Sequence, residues 1–133
     1  MASIQRLRPQ GLVSSPAFSH VAVVPPGATT IYVGGQNAVD AAGALIGEGD
    51  VAAQSEQALE NAQTALAAAG ATLADVVQWT VLFVEGADIA AGYGAIAAKL
   101  ASAEPALVTA AFVSGLGVPG ALVEISAVAA IMQ

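Results

Sequence analysis

The stretch 120-GALVEISAVAA-130 holds a single carboxylate, Glu124, among ten residues that are small, apolar or hydroxyl-bearing. A strand of this composition is expected to be buried, and burying a lone carboxylate is costly. Side chains alternate along a strand, so Val123, Ile125, Ala127 and Ala129 form an apolar face suited to packing under helices. Glu124 then points the other way, with Leu122, Ser126 and Val128. A carboxylate in a partly desolvated cleft can serve as a general acid or base. The competing role is structural: accepting backbone N–H bonds, or sitting at a wet rim. On these residues alone the structural role is the default, because an unusual carboxylate marks a site only statistically.

The other chemistry-bearing residues carry less. His20 could act as a base, but it has no partner visible in the sequence and reads as structural or solvent-facing. Asp40, Glu48 and Asp50 share one segment, yet their spacing fits no EF-hand template, and no metal site is expected. Ser114 before Gly115 lacks the strand–turn–helix context of a nucleophile elbow and reads as turn chemistry. Trp79 and Phe83, four apart on a strand, read as core. Cysteine is absent, which excludes disulfides, thiol nucleophiles and cysteine-based zinc sites.

Charge narrows the partners. Ten acids face only Arg6, Arg8 and Lys99, for a net charge of −7. Binding a phosphate backbone requires clustered cations, so nucleic acid is not an expected partner. No apolar run is long enough to cross a membrane, and residues 1–10 lack the apolar stretch of a secretory signal. The expectation is one domain over residues 1–133, soluble and cytoplasmic, with 56% hydrophobic residues and room for a core.

These side chains need elements to hold them. Val21–Val24 and Thr30–Val33 read as short strands around the turn 25-PPGAT-29, and the Gly-rich residues 34–50 as a loop. Asp50 caps a helix over 51–70, with Leu59, Ala62, Leu66 and Ala69 on one face and Gly70 as its stop. Residues 76–84 read as a strand with Val77, Trp79, Val81 and Phe83 on one face and Val76, Gln78, Thr80, Leu82 and Val84 on the other. Asp88 caps a second helix, where Ile89, Tyr93, Ile96 and Leu100 recur at helical spacing and Lys99 lies near the negative end. Residues 106–114 and Ala121–Ile131 complete the strands. The order ββ-α-β-α-ββ is an α+β sheet with two helices. Two helices cover one sheet face, yet several strands are apolar on both, so the second face is expected to meet another copy of the chain.

The segments 18-FSHV-21, 32-YVGGQ-36, 54-QSEQALENAQTALAAAGATLADVVQWTVLFV-84, 105-PA-106 and 120-GALVEISAVA-129 together resemble the Rid family, also called the YjgF or RutC-like family, along nearly the whole chain. The resemblance implies a chorismate-mutase-like fold. It also implies a homotrimer with helices outside, sheets packed into a central barrel-like core, and small-molecule clefts between subunits. The best-known members are imine/enamine deaminases that hydrolyse reactive 2-imino acids to 2-keto acids and ammonia without a metal or organic cofactor. An arginine holds the substrate carboxylate, and a glutamate on the last strand orients or activates water. Glu124 matches that glutamate, and Gly34 and Gly35 match the strand-end glycines beside the cleft.

Other positions depart from the family pattern. The arginine that follows Pro-Ala in the family is Leu107 here. The usual N-terminal tyrosine is Phe18, a helix asparagine falls at Tyr93, and Thr109 stands where cysteine is common. Arg6 and Arg8 lie in an expected edge strand and read as solvated charges. The expected activity on 2-imino acids is therefore weak or altered. The alternative is a non-catalytic trimer that binds a small ligand or a protein partner. A ribonuclease role is disfavoured by the charge balance.

Overall fold

A computed structural model describes residues 2–132. Strands β1 (Gln5–Leu7) and β2 (Val21–Val23) pair antiparallel as a separate two-stranded ladder. The main sheet contains β3 (Ala28–Gln36), β4 (Val76–Val84), β5 (Leu107–Val113) and β6 (Val123–Met132), in the order β3-β6-β4-β5. Helices α1 (Val51–Ala68) and α2 (Ile89–Leu100) pack side by side, and α1 lies against β3 and β6. Strand β6 runs antiparallel to both neighbours, while β4 and β5 are parallel. Parallel neighbours need a long crossover, which α2 supplies. The α+β arrangement of two helices on one sheet face is the one expected.

The caps explain the helix limits. Asp50 accepts a hydrogen bond from Ala53 N at 3.0 Å, and Asp88 one from Ala91 N at 3.1 Å. At the far end of α1, Gly70 adopts φ +76°. Its N–H donates to Ala67 O and that of Ala71 to Leu66 O, the paired bonds of a Schellman stop. The core lies between the helices and one sheet face. Leu59, Leu66, Val81, Phe83, Ile96, Val123 and Ile125 are fully buried there. Trp79 and Phe83 are core residues, as their spacing predicts.

Two boundaries differ from the sequence reading. Residues 34–36 belong to β3 rather than to the loop: pairing with β6 resumes at Gln36↔Ile125 after a register shift beyond Val33. Glycine's weak strand preference is overridden by that ladder. Val76 joins the core with Trp79 instead of facing away, because the register shifts again between Val76 and Gln78; such a bulge lets adjacent residues share one side.

Close helix packing depends on Gly92. A Cβ there would lie 2.6 Å from Phe83 Cε1 and 3.0 Å from Val51 Cγ2, inside a core where Phe83 has no room to move. Gly92→Ala is expected to lower stability by about 1–2 kcal/mol, since overpacking outweighs the gain in helix propensity. Urea denaturation checks this.

Candidate active site

The second face of the main sheet carries no helix, and register defines it row by row. Tyr32, Val128, Gln78 and Leu107 form one row. Ser126, Thr80 and Thr109 form the next, and Glu124, Leu82 and Ala111 the third. Tyr32 is 79% exposed. Between the first two rows lies a shallow hollow of about 220 Å³, bordered by Tyr32, Gly34, Gln78, Thr80, Ser126 and Val128. Glu124 is the only charged residue in the four strands of this sheet.

Glu124 is half-buried and sits over β3 where the strand bulges. A Cβ at Gly35 would lie 2.6 Å from Glu124 Cδ and 2.7 Å from its Oε2. The bare backbone of Gly35 therefore makes the seat for the carboxylate. At Gly34 a Cβ would meet nothing within 4 Å; this glycine borders the hollow instead. No described residue donates a hydrogen bond to the Glu124 carboxylate, so its acceptor capacity is open to a ligand or to water.

The approach to Glu124 is held by three side-chain amides, Asn37 and Gln54 buried and Asn61 half-buried. Asn37 Nδ2 donates to Val123 O at 3.0 Å. Gln54, fully buried in α1, accepts from Leu122 N at 2.8 Å and donates to Gly120 O and Gly47 O. Asn61 Nδ2 donates to both Asn37 O and Val39 O at 2.9 Å. These bonds tie α1, the segment after β3 and the start of β6 into one network. The sequence reading missed all three residues. The available signal was Gln54 and Asn61, two amides seven residues apart and so on one side of α1.

The other expected site residues lie elsewhere. Leu107 flanks Gln78, and Glu124 flanks Leu82 on the opposite side of β4. Four residues along and two strands across place them about 16 Å apart at ordinary strand rise and spacing. Thr109 lies on the same open face, exposed. Phe18 is beside the start of β5, where Ser19 N donates to Ala106 O at 3.2 Å; its ring meets His20 edge-on, centroids 5.4 Å apart. Tyr93 is on the helix side and lines a small apolar hollow with Pro16, Ala17 and Leu100. Burial pushes its phenol above the ordinary tyrosine pKa. A single chain thus groups Glu124 with Gly34 and Gly35 at one end, and Phe18, Leu107 and Tyr93 toward the other.

His20 is structural: its Nε2 lies 2.8 Å from Val13 O. Both arginines hydrogen-bond backbone carbonyls: Arg6 is half-buried, unlike the solvated reading, whereas Arg8 stays exposed. Arg6 donates to Ala74 O and Val76 O at 3.0 and 2.9 Å, and Arg8 to Ser15 O and Ala103 O at 3.2 and 2.8 Å. Among the described residues no group of His, Asp and Glu is arranged to hold a metal ion, and no helix is long and apolar enough to cross a membrane.

The fold and sequence have clear relatives. A Rid-family protein of unknown function from Yersinia pestis is 32% identical, with 96% of this chain and 98% of that one covered, at a TM-score of 0.83. RidA from the Antarctic bacterium Psychrobacter sp. is 30% identical, with 98% and 100% covered, at 0.68. The YjgF gene product of E. coli is 29% identical, with 80% and 83% covered, at 0.67. No curated protein matches the chain. The profile of the family described as Endoribonuclease L-PSP matches residues 10–131. With nearly the full chain matched, this protein belongs to the endoribonuclease L-PSP family.

Proposed function

We propose that the chain forms a homotrimer whose open sheet faces turn inward, and that clefts between subunits hydrolyse small imines or enamines with Glu124 as the base. The observation that carries this reading is the lone Glu124 carboxylate, half-buried on an uncovered sheet face and accepting from no described residue. The uncovered face itself supports assembly. Leu82, Val84, Leu107 and Val128 lie on it beside the exposed Tyr32, and burying such a surface against another copy is favourable.

The chemistry needs only protons. Glu124 takes a proton from water as the water oxygen adds to the iminium carbon and the C=N π pair moves to nitrogen. The protonated Glu124 then gives that proton to the carbinolamine nitrogen. As the C–N bond breaks and the C=O bond forms, the hydroxyl proton passes to the carboxylate and on to the departing ammonia, which leaves as ammonium and restores the base. No metal or cofactor enters. No cation stands in the four strands of the sheet, so a substrate carboxylate would meet Glu124 without a counter-charge. Neutral imines are therefore the favoured class over 2-imino acids.

A second reading, a binding trimer without turnover, draws on the same Leu107 and on the largely apolar hollow beside Tyr32 and Val128. One experiment separates the two. Light scattering is expected to give three times the 13.0 kDa chain mass, and the same sample should release ammonia faster from a neutral imine than from a 2-imino acid. A stable folded monomer contradicts the assembly. A trimer that binds imines without releasing ammonia establishes the binding reading.

A further inference from the structure

On the helix side, behind the start of β4, a hollow of about 280 Å³ lies between α2 and the 3₁₀ turn at Leu73–Asp75. Its walls include Leu73, Leu100 and Trp79, and its rim Lys99, Ser102 and Glu104. Trp79 is 3% exposed, yet no described residue accepts from its indole N–H. Trp79 lines the hollow, and its indole N–H is a donor that no described residue receives. A buried Trp usually finds a partner for that donor.

Charge concentrates at the same place. The chain has only three Lys and Arg residues; Lys99 lines the hollow, and the two arginines bond backbone carbonyls around it. Arg6 holds Ala74 O and Val76 O, both from wall residues, and Arg8 holds Ala103 O between Ser102 and Glu104. Lys99 lines the hollow itself and makes no ion pair with a described residue. Lys99 also suits the negative end of α2, but that role leaves its donors free for a ligand.

We infer that this hollow binds a small carboxylate with an apolar body. One carboxylate oxygen accepts from the Trp79 indole N–H, the other pairs with the Lys99 ammonium, and the body lies against Leu73 and Leu100. The site is distinct from the Glu124 face, which lies on the other side of the sheet.

Trp79 is the only tryptophan, so its fluorescence reports the site directly. The probe is benzoate, with benzyl alcohol as its uncharged counterpart and excitation beyond the benzoate absorption. Benzoate is expected to change the emission saturably and benzyl alcohol much less. Lys99→Met, at an exposed position, should weaken benzoate about fivefold, the size of a screened ion pair. Glu104→Gln should tighten it about twofold by removing like charge, and Glu124→Gln should leave it unchanged. No saturable change with benzoate, equal binding of both probes, or benzoate binding that Lys99→Met leaves intact overturns the inference. Loss of binding in Glu124→Gln would move the site to the open face and overturn it equally.

Discussion

Glu124→Gln is expected to lower imine hydrolysis by about 10²–10⁴-fold, the usual contribution of a positioned proton acceptor, while leaving the fold and assembly intact. The side chain's seat explains why both should hold. Gln has nearly the shape of Glu and fits over Gly35, where even a methyl group would collide. No hydrogen bond from a described residue is lost, because none is donated to the carboxylate. What disappears is the capacity to take a proton from water. Steady-state ammonia release beside a thermal melt measures both halves. Near wild-type turnover in Glu124→Gln would return the residue to a structural role.

Leu107→Arg is expected to raise activity on 2-imino acids by about one to two orders of magnitude, as a charge-assisted hydrogen bond worth roughly 1.5–3 kcal/mol predicts. Leu107 opens β5 directly after Pro105-Ala106 and faces the open side of the sheet beside Gln78. An arginine there would offer two parallel donors in a fixed fork to the substrate carboxylate. The arginines already present cannot substitute from where they are, since both hold backbone carbonyls. Phe18 still lacks a hydroxyl, so the gain stays partial; contacts that act as a unit are not additive. The readout is 2-keto acid formed from an imine generated in situ by an amino-acid oxidase. A fast wild type would mean that another group supplies the counter-charge.

The elements were legible where composition and period agreed. Asp50 and Gly70 bracket α1 as a cap and a stop should, and Asp88 opens α2 as read. The alternation in β6 correctly separated Val123, Ile125, Ala127 and Ala129 from Glu124. What pattern alone could not supply was register. A Gly-Gly pair reads as loop, yet the β6 ladder carries β3 on to Gln36 around a bulge. The same bulge places Gly35 under Glu124, a contact between residues distant in sequence. Asn37 and Gln54 were invisible for a related reason: their partners are backbone groups of residues 120–123, and backbone groups leave no trace in residue type. The separation of Glu124 from Leu107 likewise follows from strand order, which puts β4 between them.

The separation of Glu124 from Leu107 within one chain makes a cleft shared between copies directly testable. If the cleft lies between subunits, Glu124 of one copy meets the Leu107 wall of the next. Glu124→Gln lacks the base, and Leu107→Trp fills the cleft. Each homotrimer should be nearly inactive on a neutral imine. Unfolded together in equal amounts and refolded, the two chains should assemble at random. In a symmetric trimer about one cleft in four then combines a native Glu124 with a native Leu107. Recovery of about a quarter of wild-type ammonia release is expected. A mixture confirmed to contain both chains in one trimer, yet as inactive as its parents, would contradict a cleft shared between copies.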